Sequence, residues 1–337
     1  MYNSTTPMKY FPCIISALLL AATSCGSKTD RNAEADAPAA PFVRLDKTVS
    51  QFDRMPAAEQ FAIVDSLAVP LNDYIYLMGA STGNIPASID SLSHTAAFSM
   101  FAPEVDKAFP NTDGVEKSLG IINANLSRLF PTLPSYSYYG IISPYRQQIM
   151  LVDSVVYVAL NHYLGAGHPA YSSMPEYTRV TKQAAYIPVD VAEAILSVEY
   201  PYIESDAPTA IQYYLYEGAL LKGISALTGI NDVATLMGWT PEQVQQVSAQ
   251  EQGIWQKMAS DNLIYTTDMS AARRLCEPSP ASRVIAPDLP GRIGRYIGYK
   301  IVNAYLANNP DVTISELLSP QFYNSPSALI KSGYSPQ

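Results

Sequence analysis

The sequence has little cysteine, little histidine and no cluster of basic residues. Its 337 residues include three Cys and three His, and 21 Lys and Arg stand against 30 Asp and Glu, for a net charge of −9. Nucleic-acid binding depends on clustered Lys and Arg, so the composition argues against a nucleic-acid partner. The acidic excess also argues against electrostatic docking on anionic lipid. So few cysteines exclude a disulfide framework.

The first 24 residues have the features of a secretion signal. Lys9 is their only charge, an apolar run extends from Phe11 to Ala22, and small residues lead to Cys25. The run is shorter than the roughly 20 residues that a membrane-spanning helix needs. A Cys after small residues resembles the lipobox of bacterial lipoproteins, in which the thiol receives a diacylglycerol before cleavage. We therefore expect removal of residues 1–24 and lipidation of Cys25; the alternatives are a non-lipidated signal or an unrelated Cys.

The remainder of the chain changes from a polar linker to a globular pattern. Residues 25–41 are small, polar and interrupted by Pro, which is typical of a flexible tether. Residues 42–337 are predicted to form a single, mostly helical domain. Helical spacing of apolar residues predicts helices over 57–78, 114–129, 208–222, about 240–260 and about 290–307. Short β-rich runs predict three antiparallel strands within about residues 136–160, so the expected fold class is α+β, predominantly α-helical.

Two glutamates are predicted to lie on apolar helix faces. Glu217 is in the middle of the predicted helix 208–222, among tyrosines and leucines, and Glu251 lies one turn before Trp255 in the helix after Thr240. A carboxylate in such a place is paired, hydrogen-bonded or shifted in pKa. The structural interpretation is a Glu–Tyr bond or an ion pair that joins two helices. The functional interpretation is an acid or base in a site.

His162 and His168 are weaker candidates for a site. They flank a Gly-containing stretch after the last predicted strand, and their spacing is not a standard metal pattern. A zinc site needs three or four ligands. With Glu217 or Glu251 the two imidazoles could complete such a set, although nothing in the spacing requires it.

Two further features favour structural roles. Cys276 has no His near it in sequence, which indicates a buried apolar side chain, with a nucleophile as the alternative. Gly294 and Gly298 lie one helical turn apart and fit no nucleotide-binding motif. Their spacing predicts close helix packing.

Several segments, taken in order, resemble the gliding-motility lipoprotein family of Bacteroidetes called GldB. The matching stretches are Asn161-His-Tyr-Leu-Gly165, Met174-Pro-Glu-Tyr177, Leu215-Tyr-Glu-Gly-Ala219, Met237-Gly-Trp-Thr240 with Gln243, Glu251-x-x-Ile-Trp255, Pro290-Gly-Arg-Ile-Gly294, Ile297-Gly-Tyr-Lys-Ile-Val302 and Ser332-Gly-Tyr-Ser-Pro336. The resemblance extends from about residue 105 to the end, with the lipobox in addition. It implies an envelope lipoprotein linked to gliding motility and its secretion apparatus.

The GldB family is in turn similar to predicted zinc peptidases, in which a short sheet precedes a His-Glu-x-x-His helix. There the two His bind zinc and the Glu activates water. Here Glu217 occupies the Glu position, Tyr216 and Leu220 occupy the two His positions, and Glu251 stands where a third ligand would be. The resemblance implies a zincin-like scaffold without its metal, with Tyr216, Glu217 and Leu220 on a vestigial active-site helix.

The expected function is a non-catalytic interaction or assembly component, a pseudo-peptidase with no cofactor besides the covalent lipid on Cys25. Gly26 lacks the Asp that in some other bacteria retains lipoproteins in the inner membrane, and no acidic run directly follows Cys25 to suggest surface export. We therefore expect an outer-membrane lipoprotein that faces the periplasm and has envelope proteins as partners. The alternative is a periplasmic, peptidase-like hydrolase that uses Glu217 or Glu251. Ligand binding by the tyrosines within 136–145 is a third hypothesis.

Overall fold

The fold is built mainly from helices, and the computed structural model describes it over residues 37–336. Within these residues, helices form most of the structure, which confirms the predicted α-rich α+β class. In chain order the helices are α1 (Leu45–Gln51), α2 (Ala57–Ser66), α3 (Ala68–Leu77), α4 (Ile85–Ser93), α5 (Ala96–Ala108), α6 (Asp113–Leu129), α7 (Glu176–Arg179), α8 (Ile187–Glu199), α9 (Ala210–Thr228), α10 (Val233–Met237), α11 (Pro241–Ala249), α12 (Glu251–Ser260), α13 (Met269–Cys276), α14 (Ile293–Asn308), α15 (Ile314–Leu317), α16 (Pro320–Tyr323) and α17 (Ala328–Ser332). Across the described range, no helix combines the length and the apolar character needed to cross a bilayer.

The sheet is mixed rather than antiparallel. Its strands are β1 (Phe42–Arg44), β2 (Ser137–Ile141), β3 (Ile149–Val152) and β4 (Val155–Ala159), in the order β1-β2-β4-β3. β1 pairs parallel with β2, β2 pairs parallel with β4, and β3 pairs antiparallel with β4.

The prediction of three antiparallel strands was therefore wrong, except for the β3–β4 hairpin. β3 lies at the outer edge of the sheet, so the hairpin returns β4 in the direction of β2. β4 is buried along most of its length, and continuous apolar runs of this kind are typical of strands that lie inside a sheet with parallel neighbours. β1 has three residues, which is too short for an alternating pattern to reveal it.

Helices α9 and α14 cross in backbone contact at the centre of the domain. A Cβ on Gly298 would lie 1.7 Å from the Tyr214 carbonyl oxygen, and a Cβ on Gly218 would lie 2.2 Å from the Gly298 carbonyl carbon. A Cβ on Gly294 would lie 2.8 Å from the Tyr214 ring. No side chain fits at such distances, so the predicted close packing at Gly294 and Gly298 is confirmed.

Two predicted helices differ in extent from the observed ones. α9 continues past the predicted end at residue 222 to Thr228, and Gly229 ends it with a φ of +72°. The residues before Gly229 are buried on most sides of α9, so no polar stripe marks an earlier end. The predicted helix 57–78 is two helices, α2 and α3, that meet at Leu67. Pro70 explains the break, because it has no N–H to bond the carbonyl of residue 66.

Two further boundaries are set by single residues. The predicted helix 240–260 begins with the expected capping box at Thr240, but it is broken at Gln250, so α12 starts at Glu251. α14 begins at Ile293 rather than at residue 290, because Arg292 has a φ of +70° that no α-helical residue adopts.

The segment before β1 is attached to α6, and the end of β1 is attached to α5. The Ala40 N–H donates to the Glu116 carbonyl at 2.9 Å. The Pro38 carbonyl oxygen is so close to α6 that a Cβ on Gly120 would lie 2.0 Å from it. At the end of β1, the Arg44 guanidinium donates to Asp46 at 2.6 and 2.7 Å and to Asp106 at 3.0 Å. The start of the described chain is therefore bonded to the domain on both sides of β1.

Candidate functional site

Glu217 lies on α9 close to the crossing with α14, and its carboxylate faces Arg295. Arg295 precedes Gly298 by one turn of α14, so the backbone contact brings it towards the middle of α9. Its Nε lies 3.5 Å from Glu217 Oε2. Glu217 is thus held in an ion pair between two helices, which corresponds to the structural interpretation of this residue.

Arg295 also joins Glu217 to a carboxylate on α8. Its Nη1 donates to Glu193 Oε1 at 2.8 Å, and side-chain exposure is 4% for Arg295, 12% for Glu217 and 33% for Glu193. Burial raises the pKa of Glu217, and the Arg295 charge acts against this rise. Burial acts the same way on Glu193, but there the charges of Arg295 and Arg292 outweigh it and lower the pKa. We call Glu193, Arg295 and Glu217 the ionic triad.

Tyr216 and Leu220, which stand where a zinc peptidase has its two His, are buried in the core. The Tyr216 hydroxyl donates to the Tyr200 carbonyl at 3.1 Å, and its ring packs edge-on against Tyr323 at 5.4 Å. Leu220 is 3% exposed. Zinc requires three or four N, O or S ligands. The only ligand type on this turn is the Glu217 carboxylate, which already faces a guanidinium whose charge opposes a metal ion, so these residues do not fit a zinc site.

Glu251 is fully buried in a second, separate arrangement. Its carboxylate accepts from the Tyr296 hydroxyl at 3.0 Å and from the Tyr334 hydroxyl at 2.9 Å. Lys300 Nζ lies 3.2 Å from it. These contacts tie the first turn of α12 to α14 and to the segment after α17. Glu251 and Glu217 therefore have different partners and do not form one pair of carboxylates.

The two histidines are placed apart from each other and from both glutamates. His162 is 8% exposed, and its Nε2 lies 2.9 Å from the Tyr145 carbonyl oxygen and its Nδ1 3.3 Å from Lys182 Nζ. Burial and the Lys182 charge lower the pKa of His162 to about 4, so its imidazole is neutral at pH 7. His168 instead lies 3.1 Å from the carboxylate of Glu104 on α5.

A different group of residues has the composition of a metal site. Asp53, Asp90 and His94 bring one ligand atom each to within 4.8 Å of one another, and over residues 37–336 no other trio of His, Cys, Asp or Glu does so. All three are exposed. His162, His168, Glu217 and Glu251 are thus not assembled into a common ligand set.

A cleft of about 820 Å³ opens beside the ionic triad. Its walls come from α8 and from residues 173–182, 235–243 and 290–292, and His162 and Glu193 both line it. Since Glu193 lines the cleft and is bonded to Arg295, the other two members of the triad lie behind the cleft wall. Clefts of this volume are typical of ligand sites in proteins.

Three residues that line the cleft, Gln148, Lys182 and Asp190, belong to one chain of hydrogen bonds, and we call them the floor of the cleft. Asp190 Oδ2 accepts from the Tyr163 hydroxyl at 2.7 Å and from Gln148 Nε2 at 2.5 Å. The Gln148 carbonyl oxygen in turn accepts from Lys182 Nζ. Burial raises the pKa of Asp190 to about 6 and lowers the pKa of Lys182. The floor can therefore hold a polar ligand through both donors and acceptors.

Sequence reasoning missed most of the charged residues in and behind this cleft. Asp190 and Glu193 gave a signal, because they interrupt the otherwise apolar start of α8 three residues apart. Arg292 and Arg295 have the same spacing, but the adjacent glycines drew attention to packing instead. Lys182 follows a Thr-rich loop and gave no signal in the sequence.

The cysteines add no reactive group to this site. Cys276, at the end of α13, is 5% exposed and free. Burial raises the pKa of its thiol, and buried thiols with raised pKa are poor nucleophiles. Cys25, the predicted lipidation site, and the predicted signal 1–24 lie outside the described residues.

Comparisons with known proteins give a match to one protein family. The model of the family described as gliding motility protein GldB matches residues 28–336. This confirms the resemblance predicted from the motifs and extends it well before residue 105. No curated protein and no solved structure matches the chain, so the zincin-like scaffold stays a prediction.

Proposed function

Because the chain belongs to the gliding motility protein GldB family, we propose that it is a lipid-anchored, non-catalytic component of the envelope machinery for gliding and its linked secretion. Its role is to bind and assemble other envelope proteins. The family match covers nearly the whole chain, so it applies to the domain as a unit and not to one motif.

The non-catalytic part of the proposal rests on the ion pair between Glu217 and Arg295. A general base must reach a substrate proton or an activated water. The Glu217 carboxylate is 12% exposed and faces a guanidinium at 3.5 Å, with Tyr216 packed into the core beside it. The same carboxylate in a hydrolase would need an open position for water. This supports a scaffold whose former catalytic position now holds two helices together.

The proposed location is the periplasmic face of the outer membrane. Support comes from the lipobox-like segment before Cys25 and from the short name of the family model, which contains an abbreviation of lipoprotein. Several acyl chains on one cysteine hold a protein firmly to a bilayer. Replacing Cys25 with alanine should move the protein from the membrane to the soluble fraction. If the Cys25→Ala protein stayed in the membrane fraction, both the proposed lipid anchor and the proposed location would be rejected.

Crosslinking in native envelopes tests the proposed role. Cells carrying the tagged chain are crosslinked, the envelope is dissolved in mild detergent, and the chain is recovered with its partners. We expect a reproducible set of envelope proteins that Cys25→Ala recovers poorly, because the untethered protein is diluted away from the membrane. Recovery of no partner in repeated experiments, under conditions that preserve a known envelope complex, would contradict the proposal.

A matched variant separates assembly from catalysis. Glu217→Gln removes the charge of the candidate base and keeps the shape of the side chain. We expect cells with Glu217→Gln to glide as wild type wherever the variant protein accumulates to the wild-type level. Loss of gliding at an unchanged protein level would favour the hydrolase hypothesis instead.

A further inference from the structure

The cleft beside the ionic triad contains cations that form no direct ion pair. Lys182, Arg292 and Arg146 all line it. In the described part of the chain, no carboxylate lies within 4.0 Å of any of these three cations, whereas Arg44 and Arg295 are paired. Lys182 is 7% exposed, and its ammonium is hydrogen-bonded to the neutral side chains of Gln148 and His162, with the Asp190 charge acting on it from a longer distance. A buried ammonium that is not in direct contact with a carboxylate is costly.

Three acids line the same cleft: Glu176 is exposed, and the other two, Asp190 and Glu193, are engaged by the protein. Asp190 accepts two hydrogen bonds from Tyr163 and Gln148. Glu193 accepts from Arg295 at 2.8 Å. Asp190 and Glu193 thus act on Lys182 and Arg292 only through space, beyond ion-pair distance, and a carboxylate from outside could contact these cations directly.

Arg292 and Arg295 also have donors without acceptors. Among the described residues, Arg292 Nε and Arg295 Nη2 are buried side-chain nitrogens with no hydrogen-bond partner. The one bond of Arg292 that is made, from Nη1 to the Met237 carbonyl at 2.7 Å, fixes its guanidinium at the cleft wall. Arg292 reaches this place through a left-handed φ of +70°, a conformation that costs a non-glycine residue free energy and is concentrated at functional sites.

The rest of the cleft suits a peptide. Met174, Val180, Leu236 and several prolines supply apolar walls, and the volume of about 820 Å³ holds several residues of an extended chain. Arginine is well matched to a carboxylate because its planar donors fit two oxygens. Phosphate groups on an apolar body share the charge but lack amide N–H groups for the carboxylate of Glu176, which lines the cleft and is exposed.

We propose that this cleft binds a peptide segment of a partner protein by a carboxylate, from the chain terminus or an acidic side chain, which pairs with Lys182 and Arg292. The inference rests on the proposed function, since it specifies the chemical group by which a partner protein is recognised. It involves residues that the candidate zinc-peptidase motif does not contain.

Fluorescence polarisation on the full-length chain in nonionic detergent tests this site. The probes are three pools of labelled, N-acetylated hexapeptides of random sequence without acids: one ends in a carboxylate, one ends in a carboxamide, and one is the carboxamide pool with a single Asp. We expect saturable binding of the first or the third pool, at least about tenfold tighter than the carboxamide pool, as loss of one charge-assisted pair implies. Which of the two binds identifies the source of the carboxylate.

Variants locate the binding. Lys182→Met and Arg292→Asn should each weaken binding about tenfold or more; asparagine is chosen at position 292 because it tolerates a left-handed φ. Arg146→Gln, at the exposed rim, should weaken binding about threefold. Arg283→Asn, on an exposed loop outside the cleft, is the matched control and should bind as wild type. Arg146→Gln keeps the test valid if a buried variant does not fold, because its side chain is exposed.

Three results would overturn the proposal. The first is equal binding of the carboxamide and carboxylate pools. The second is binding of inorganic phosphate in the cleft without binding of any peptide pool. The third is the absence of saturable binding to a protein whose normal unfolding temperature shows that it is folded. Each outcome is distinguishable from failure of the proposed function. Envelope partners that are recovered equally by wild type and by Lys182→Met would keep the assembly role and reject this cleft.

Discussion

Replacing Arg295 with methionine removes the cation that two carboxylates share and keeps a side chain of similar length. In the variant, Glu217 remains 12% exposed without its partner, and Glu193 loses a 2.8 Å bond. Removing one partner of a buried ion pair costs about 3–5 kcal/mol. Glu193 is 33% exposed and regains water, so we expect the lower end, about 3 kcal/mol.

Thermal unfolding converts this free energy into a temperature. The unfolding entropy is about 2.1 cal/mol/K per residue, or about 0.6 kcal/mol/K for a domain of roughly 300 residues. The Arg295→Met protein should therefore unfold about 5 °C below wild type, measured by circular dichroism at neutral pH. Arg283→Met, which changes an exposed arginine, should unfold within about 1 °C of wild type.

Two further measurements check the physical reason. The Glu217→Gln/Arg295→Met double variant should regain part of the loss, because it leaves no charge at Glu217. Without the guanidinium the pKa of Glu217, already raised by burial, rises further, and the lowered pKa of Glu193 rises as well, so the cost of Arg295→Met should shrink as the pH falls from about 7 to about 5. A loss that is independent of pH, or a shift below about 1 °C, would refute the electrostatic reasoning.

Three other predictions concern the remaining buried groups. Tyr334→Phe removes one donor to the Glu251 carboxylate and should cost about 1.5–3 kcal/mol in thermal unfolding, as for other bonds to a charged group. Burial raises the pKa of Asp190 to about 6, so its ionisation opposes folding. The free energy of unfolding of Asp190→Asn, measured at several pH values, should equal that of wild type below about pH 4 and exceed it above about pH 6. Gly298→Ala should fail to reach the native circular dichroism spectrum, because its Cβ would lie 1.7 Å from a carbonyl oxygen of α9, whereas Gly253→Ala, with no atom within 4 Å, should gain about 0.5–1 kcal/mol. Wild-type spectra for Gly298→Ala would contradict the observed helix crossing.

The sequence predicts those features of the fold that depend on neighbouring residues. The capping box at Thr240 and the helix after Asp113 follow from local bonds and helical spacing. The close approach at Gly298 follows from two glycines one turn apart. The direction of β4 relative to β2 does not follow, because strand direction depends on which edge of β4 the hairpin partner occupies, and that choice is made by long-range packing.

The same limit applies to the candidate site. The burial of Glu217 could be expected from the apolar residues around it, but its partner Arg295 lies far along the chain. Lys182 is buried by segments that meet only in the folded domain, so nothing beside it in the sequence predicts an unpaired cation. Pairing of charges across helices is a property of tertiary structure, and the spacing of motifs in the sequence does not predict it.

The attachment of residues 38–44 to α6 and β2 determines how the domain would bear a pulling force. For a chain anchored at Cys25 in a moving envelope, tension enters the fold at its first contacts, where Ala40 bonds Glu116 and β1 pairs over three residues with β2. Behind them the Arg44 guanidinium clamps Asp46 and Asp106. A short strand followed by an ionic clamp gives way in two steps. Stretching from the N-terminal side would therefore release residues 38–44 before the helical core is loaded.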